Sequence, residues 1–358
     1  MTPVALETLR VLHEGQPLVA ATIESRAGMR MRVLNLGGIV VSLHVPDAHG
    51  RLRDVVLGFD DPASYLTDRF YLGAIVGRYA NRIGGAAFPL EGRTVRVTAN
   101  QGRNHLHGGR RGFDRVVWGI EPFEDVSARG VVLTYTSPDG EEGFPGTLHT
   151  RVTYALTDDG AWEVGFDAES DRPTPVNLTQ HSYFNLAGEG TVRGHTLRVE
   201  ADRYLPLDAE QIPLGHLAPV DGTAFDLRRE RLIGDVLDQP ALAGESLDNT
   251  FVLRPDERAA GDASAGRTDA MFPAATLAHA ESGLVLTVST SEPSVHCYAA
   301  RYLNGIAGKH GQRYGPHDAL CLETQHFPDS PNRPDFPSTI VRAGAPLRSR
   351  TRFAFSTA

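Results

Sequence analysis

The stretch LHTRVTYALTDDGAWEVGF, residues 148–166, decides the fold class of this chain. Over 148–156, large apolar residues alternate with polar ones, as they do on a strand with one buried face. The stretch 161–166 repeats this alternation, and the intervening TDDG, residues 157–160, has the composition of a tight turn. The alternating apolar residues are Leu148, Val152, Tyr154, Leu156, Trp162, Val164 and Phe166. The sequence therefore predicts an antiparallel β-hairpin here.

The same alternation recurs elsewhere along the chain, at 131–135, 197–199 and 284–288, and each stretch is bounded by turn-forming residues. Glycines number 37 and prolines 23, and they break the whole length into short runs rather than helix-length periodic segments. No glycine-rich nucleotide-binding motif and no fixed-period repeat is present in the sequence. These patterns predict an all-β fold with many antiparallel strands.

The most polar stretch of the chain is DERAAGDASAGRTDA, residues 256–270, which has almost no large apolar residue. We predict a surface loop there, because strand patterning continues on both sides of it. A linker between two domains is the alternative. We therefore expect one domain spanning residues 1–358, a length that all-β folds reach as single domains.

Charge and cysteine content narrow the possible partners and the compartment. The formal net charge of −9 and the sequence pI of about 5.9 disfavour nucleic acid and anionic membrane surfaces, whereas a neutral sugar is not repelled. Cys297 and Cys321 lie in apolar runs and are predicted to be buried and reduced. We find no secretory signal and no membrane-length apolar run, so we expect a cytoplasmic protein.

Four stretches set polar and charged residues between glycines and aromatic residues, a composition typical of loops that hold a polar ligand. The first is GRYANRI, residues 77–83, in which Arg78 and Arg82 lie on either side of Asn81. If the backbone is extended there, the two arginines point to the same side. The alternative is that one arginine pairs with a surface carboxylate.

The second stretch is NHLHGG, residues 104–109, in which His105 and His107 flank Leu106. On a strand both imidazoles would share one face, as two metal ligands do. However, the sequence supplies no third and fourth ligand at the usual spacing, and a structural role for the pair is the alternative. We predict no metal site.

The third stretch, NLTQHSYFNLAG, residues 177–188, surrounds His181 with amides, hydroxyls and aromatic rings. Such neighbours fix an imidazole tautomer and form a floor for a sugar, so they favour a functional histidine over a core one. The fourth stretch, CLETQHFPDSPN, residues 321–332, places Glu323 at the end of an apolar strand. Partial desolvation there suits a general base, although a surface glutamate is the alternative.

Together with GFDRVVW (112–118) and LDNTFVL (247–253), these four stretches resemble, in order, the motifs of the galactose mutarotase family, also called aldose 1-epimerases. The resemblance implies a large antiparallel β-sandwich, the galactose mutarotase-like supersandwich, with few short helices and a sugar cleft on the concave face of a sheet. It also implies an isomerase that interconverts the α and β anomers of free aldohexoses such as galactose and glucose. That reaction needs no cofactor.

The resemblance also implies the roles of the catalytic residues. Glu323, in the LETQ stretch, is expected to be the general base. His181, in NLTQHSYF, is expected to be the general acid, with assistance from His107 of LHGG.

Binding of the sugar hydroxyls or ring oxygen is expected, by the same resemblance, from Asn81, Arg82 and Asp248. From the residues alone, Asp248 also reads as a turn carboxylate. The chain departs from the family in VHCYAAR, residues 295–301, where relatives often carry a glutamine. We expect His296 to replace that glutamine as a donor to the sugar.

Other functions remain open at this point. One is a non-catalytic sugar-binding or regulatory protein on the same fold, although the pair Glu323 and His181 speaks against it. Another is a mutarotase of a pentose or of a phosphorylated hexose, and the latter needs arginines for the phosphate, with Arg301 and Arg313 as candidates. We expect a monomer or a homodimer.

Overall fold

The computed structural model describes residues 4–242, 246–253 and 270–358, and β-strands dominate it. The first strands are β1 (Val4–His13), β2 (Gln16–Glu24), β3 (Arg30–Leu34), β4 (Val40–Pro46), β5 (Leu52–Asp54), β6 (Ile75–Val76), β7 (Arg82–Ile83), β8 (Ala87–Leu90), β9 (Arg93–Arg96), β10 (His105–Leu106), β11 (Gly119–Glu124), β12 (Ala128–Ser137), β13 (Leu148–Thr157), β14 (Ala161–Ser170) and β15 (Thr174–Pro175). The remaining ones are β16 (Thr179–Gln180), β17 (Tyr183–Phe184), β18 (Thr196–Val199), β19 (Ala201–Tyr204), β20 (Ala218–Pro219), β21 (Arg231–Leu232), β22 (Asp248–Leu253), β23 (Phe272–His279), β24 (Leu284–Thr290), β25 (Ser294–Tyr298), β26 (Ile306–Ala307), β27 (Arg313–Tyr314), β28 (Leu320–Gln325), β29 (Ile340–Val341) and β30 (Leu347–Thr357).

Helices are short. The α-helix α1 covers Ile233–Leu237. Short 3-10 helices lie at Pro62–Thr67, Gly84–Ala86, Phe113–Arg115, Glu141–Gly143, Val192–Gly194, Pro240–Leu242, Lys309–Gly311 and Ser330–Asn332. No helix within the described ranges has the length and apolar character needed to traverse a lipid bilayer.

The predicted hairpin forms the centre of a nine-stranded antiparallel sheet, whose order is β11-β12-β13-β14-β30-β24-β23-β18-β21. Strands β13 and β14 pair as the predicted hairpin, in a register that sets Leu156 opposite Trp162 and Val152 opposite Phe166. Gly160 ends the turn at a φ of 85°, which a residue without Cβ adopts readily. The predicted strands at 131–135, 197–199 and 284–288 lie within β12, β18 and β24 and are confirmed.

Two further sheets cover this large sheet. The five-stranded sheet runs β1 to β5 in order, and the six-stranded sheet has the order β17-β28-β25-β22-β19-β20. One continuous apolar core joins all three sheets and contains both tryptophans, Trp118 and Trp162. The prediction of a large antiparallel β-sandwich with few short helices is therefore confirmed.

Strand alternation gives the six-stranded sheet two different faces. Leu320 and Leu322 of β28 point into the main core, as do Val295 and Cys297 of β25. The residues of each strand that alternate with these therefore point to the opposite face. Glu323 is one of these, so its position on the face away from the core follows from the pattern of the strand.

Both cysteines are buried and free, as predicted. Burial raises the pKa of the Cys297 thiol, so the thiol form is the stable one in the core. The predicted loop at 256–270 lies outside the described residues except for Ala270, and the single-domain organisation stays a prediction.

Candidate active site

The outer face of the six-stranded sheet carries a cavity of about 210 Å³. Strand register brings Glu323 of β28 directly opposite His296 of β25, and His296 opposite Thr250 of β22. Loops before and after short strands complete the walls. All seven residues predicted for the site line this one cavity: Asn81, Arg82, His107, His181, Asp248, His296 and Glu323.

Glu323 is buried, with 1% of its surface exposed. One carboxylate oxygen, Oε1, lies 3.6 Å from Nε2 of His181, and Oε2 has no hydrogen-bond partner in the described part of the chain. The 3.6 Å separation is longer than a hydrogen bond, so the two groups are not locked to each other. Glu323 thus lines the cavity as a buried carboxylate that no hydrogen bond within the described residues ties down.

His181 follows β16 and is held mainly through its backbone. Its N–H donates to the carbonyl of Ala74 at 2.9 Å. The Gln180 side chain spans the same turn, because it donates to the carbonyl of Gly73 at 2.7 Å and accepts from the N–H of Ser182 at 2.7 Å. The imidazole is thereby presented to Glu323 from a separate segment of the chain.

His107 enters the cavity in a defined tautomer. The backbone N–H of Asn81 donates to its Nδ1 at 3.2 Å, so in the neutral ring Nε2 carries the proton. Burial holds the pKa of His107 well below 6.5, and the neighbouring charges of His181 and Arg82 act in the same direction. His107 is therefore a neutral hydrogen-bond donor at neutral pH.

His105 does not share this role. Strand β10 ends at Leu106, and His107 turns into a left-handed conformation with a φ of 49°. The Nδ1 of His105 instead contacts the carbonyl of Thr98 at 2.8 Å, and its ring packs edge-on against Phe144. The expectation that both imidazoles share one face is wrong, because the backbone leaves the extended conformation between them.

Arg82 is buried at the edge of the cavity, and its guanidinium is held by amide oxygens. Its Nε donates to Oε1 of Gln101 at 2.7 Å, and a terminal nitrogen donates to Oε1 of Gln211. Asn81 accepts from the backbone N–H of Arg82 at 2.9 Å, at a left-handed φ of 63°. Burial lowers the pKa of Arg82, yet a guanidinium stays charged in proteins. Arg82 thus supplies a fixed positive charge whose guanidinium is held by amide oxygens of the described residues.

Arg78 lies away from the cavity, contrary to the extended-chain expectation that it points to the same side as Arg82. Its Nε donates to the hydroxyl of Ser137, and its terminal nitrogens donate to the carbonyls of Ser137 at 2.9 Å and Gly146 at 2.8 Å. The left-handed Asn81 between the two arginines breaks the two-residue alternation. Arg78 is therefore a structural arginine.

Asp248 and His296 form a buried pair. Oδ1 of Asp248 accepts from Nε2 of His296 at 2.8 Å, and Nδ1 of His296 lies 2.9 Å from the hydroxyl of Thr250. Gln211 donates to the other oxygen of Asp248 at 3.1 Å. Burial acts to raise the pKa of Asp248, but the hydrogen bond and charge of His296, with the charge of Arg82, outweigh it and lower the pKa. Both ring nitrogens of His296 are thus engaged by the protein.

Several residues around the cavity carried no recognisable signal in the sequence. Gln101 and Gln211, which orient Arg82, come from loops more than 100 residues apart in the chain. Tyr71 packs its ring 4.8 Å from the ring of His107. None of these three positions lies in a periodic stretch from which its contacts could be read.

The ligand atoms of His107, His181 and Glu323 lie within 4.8 Å of one another, a spacing that suits a metal ion. The hydrogen bonding of His107 does not fit such a role. Its Nδ1 is occupied by the N–H of Asn81, and its Nε2 carries the proton in the neutral ring. Two ligands remain, fewer than the three that catalytic metal sites usually have.

A larger hollow of about 900 Å³ adjoins the cavity and shares Gln101, Asp248 and Tyr302 with it. Glu323 and His181 do not line this hollow. Arg301, one of the two arginines considered for phosphate, borders the hollow, and its guanidinium lies 5.7 Å from the ring centre of Tyr302. In the described structure, neither Arg301 nor Arg313 lines the smaller cavity.

Comparison with known proteins agrees with this geometry. Residues 20–354 match the family model described as aldose 1-epimerase. The chain is 41% identical to the galactose mutarotase of Bos taurus over 356 residues, with 98% of each protein covered, and 36% identical to the aldose 1-epimerase of Escherichia coli (strain K12) over 354 residues, again with 98% of each covered. The crystal structure of galactose 1-epimerase from Lactobacillus acidophilus NCFM superposes with a TM-score of 0.85 at 28% identity, covering 99% of both chains.

Fold, cavity and full-length similarity all lead to the same assignment. The chain belongs to the aldose 1-epimerase family and is an isomerase that acts on carbohydrates.

Proposed function

We propose that Glu323 is the general base and His181 the general acid in the interconversion of the α and β anomers of free aldohexoses such as galactose and glucose. One observation carries this assignment. A buried carboxylate and an imidazole from separate segments approach to 3.6 Å at the wall of one cavity, without a hydrogen bond between them. An acid and a base so placed reach two oxygens of the same small ring.

The reaction follows from proton transfers alone. Glu323 takes the proton of the anomeric hydroxyl while protonated His181 gives a proton to the ring oxygen, and the bond between carbon 1 and the ring oxygen breaks to leave an aldehyde. Rotation about the bond between carbons 1 and 2 presents the other face of the aldehyde. Closure returns both protons and yields the opposite anomer, so atoms and electrons balance without a cofactor.

His107 and Arg82 stabilise the ring oxygen as its bond to carbon 1 breaks. His107 supplies a neutral N–H donor, and Arg82 supplies a fixed positive charge. Both are buried and oriented before the substrate arrives, by Asn81 and by the glutamines respectively. Preorganised donors of this kind usually make the largest contribution to lowering a barrier.

Asp248, together with Asn81 and Arg82, binds sugar hydroxyls in this proposal. His296 acts through Asp248, because its two nitrogens are engaged by Asp248 and Thr250. The cavity volume of about 210 Å³ suits a single sugar ring rather than a larger ligand. Galactose is the first substrate to examine, because the mammalian relatives at 41% to 42% identity are named for it.

Polarimetry tests the assignment directly. In Glu323→Gln the carboxylate that accepts the proton is lost while size and shape are kept. We expect kcat for the decay of optical rotation of fresh α-galactose to fall by roughly 100- to 10,000-fold, with sugar binding retained in a calorimetric titration.

Glu281→Gln is the matched control, because Glu281 is exposed and does not line the cavity. It should behave as the wild type. Turnover by Glu323→Gln at the wild-type rate would refute the assignment of the base.

We further propose that the enzyme is a single-domain, cytoplasmic protein that works as a monomer or a homodimer. Two free buried thiols suit a reducing compartment. The C-terminal strand β30 pairs between β14 and β24, so the end of the chain is part of the central sheet. Light scattering after size-exclusion chromatography tests the assembly, and a mass above that of two chains would contradict it.

A further inference from the structure

The ring of Tyr71 contacts both histidines of the cavity. Its ring centre lies 4.8 Å from that of His107 at an interplanar angle of 52°, and 5.9 Å from that of His181 at 24°. The two imidazoles lie edge to face, 5.4 Å apart. Tyr71 therefore packs against both imidazole rings, which come from different segments of the chain.

His181 lacks the hydrogen bond that usually orients a catalytic imidazole. In such sites the nitrogen that does not face the substrate commonly bonds to a carboxylate or carbonyl. Here Nδ1 of His181 is buried and has no partner among the described residues. The other neighbours of the ring are aromatic: Tyr183 lies nearly parallel to it at 5.1 Å, and Tyr298 meets it edge-on at 6.5 Å. The orientation of His181 therefore depends on ring packing.

The backbone at Tyr71 adopts a conformation that bulky residues avoid. Its φ is 58°, in the left-handed region. The carboxylate of Asp68 holds this turn, because it accepts from the N–H of Phe70 at 3.0 Å and of Leu72 at 2.9 Å. The N–H of Ala74 closes the turn on the carbonyl of Tyr71 at 3.0 Å. Strained residues held by their surroundings cluster at functional sites, so the strain agrees with a role for this side chain.

We propose that Tyr71 is a positioning residue, whose ring holds His181 and His107 in the relative orientation from which they serve the ring oxygen of the sugar. This inference rests on the proposed function of His181. The aromatic ring, rather than the hydroxyl, does the positioning. Removing the ring leaves a gap beside His181, whose Nδ1 has no hydrogen bond to restrain it, and the imidazole rotates away from Glu323.

Two substitutions separate the ring from the hydroxyl. Tyr71→Leu removes the ring, and we expect kcat to fall by about 10- to 100-fold with KM close to the wild-type value, since a misplacement of about 1 Å costs that much. Tyr71→Phe keeps the ring and should retain most of kcat. Phe59→Leu is the control for loss of a half-buried ring, because Phe59 packs on Tyr65 and does not line the cavity.

Three results would overturn the proposal. An equal loss in Tyr71→Phe and Tyr71→Leu would assign the effect to the hydroxyl. A rise in KM at unchanged kcat would make Tyr71 a contact of the sugar, and full activity in Tyr71→Leu would leave it without a role.

A crystal structure of Tyr71→Leu gives a readout that does not depend on activity. We expect His181 to occupy a changed orientation, or more than one, relative to Glu323. An unchanged His181 would refute the positioning role even if the acid–base assignment holds. Conversely, a rotated His181 in a protein whose wild type does not interconvert anomers would refute the assignment of function and leave the positioning role intact.

Discussion

Acidification should destabilise this protein through two buried histidines outside the cavity. Burial lowers the pKa of His105 to about 4. Burial also lowers the pKa of His195 to about 3, and the adjacent His279, whose ring is stacked at 4.6 Å, acts in the same direction. His195 accepts from the N–H of Leu186 at 3.0 Å, so protonation of that nitrogen would break a native hydrogen bond. Both rings are therefore neutral in the folded protein under ordinary conditions.

The sign of the effect follows from proton uptake by the unfolded chain. Unfolded histidines take up protons near pH 6.5, whereas the folded ones do so only near pH 4 and 3. Between these values the unfolded state binds more protons, so stability is complete above about pH 6.5 and falls as the pH falls. In this range each histidine lowers the free energy of unfolding by about 1.4 kcal/mol for each pH unit of acidification. From pH 6.5 to pH 5 the decrease is about 2 kcal/mol for each histidine. Together they remove about 4 kcal/mol of the free energy of unfolding between pH 7 and pH 5.

Urea unfolding at pH 7 and pH 5 measures this loss. In His195→Gln the amide oxygen still accepts from the N–H of Leu186, but the side chain no longer titrates. The variant should lose about 2 kcal/mol less than the wild type over the same interval, because one of the titrating imidazoles is gone. His216→Gln, which replaces an exposed histidine, should lose as much as the wild type. Equal losses in the wild type and His195→Gln would show that His195 does not contribute to the acid sensitivity.

Two further predictions concern buried polar pairs. His296→Phe keeps a ring but removes the nitrogen that donates to Asp248 at 2.8 Å. We therefore expect KM for galactose to rise about tenfold in the polarimetric assay. An unchanged KM would contradict a role of this pair in binding. The buried ammonium of Lys309 donates to the carboxylate of Asp54 and to the carbonyls of Val41 and Val56. Lys309→Met should therefore lower the free energy of unfolding, measured in urea, by about 3 to 5 kcal/mol. An unaltered urea midpoint would show that the buried ammonium is dispensable.

The long strands could be read from the sequence, and the very short ones could not. Alternation over 148–156 and 161–166 predicted the hairpin, because one face of each strand enters the main core. Strands β7 and β10 have two residues each and carry no periodicity. The residues beside them, Asn81 and His107, are left-handed, so facing relations assumed for an extended chain failed there.

Six of the seven residues assigned to the cavity came from the resemblance of ordered motifs rather than from spacing, and His296 came from the departure at VHCYAAR. Sequence reasoning missed the residues that orient them, such as Gln101, Gln211 and Tyr71, because their contacts join loops far apart in the chain. The case of His296 is similar. Its expected role as a donor to the sugar rested on one strand alone, whereas strand pairing places Asp248 and Thr250 at its two nitrogens.

In the mechanism proposed above, Glu323 and His181 serve the anomeric oxygen and the ring oxygen of one sugar. A crystal structure of Glu323→Gln with bound galactose measures this directly. We expect the anomeric oxygen within roughly 3.2 Å of the side chain at position 323, and the ring oxygen within roughly 3.2 Å of Nε2 of His181. A sugar bound with its anomeric carbon toward Asp248, with neither oxygen within reach of position 323 and His181, would contradict it.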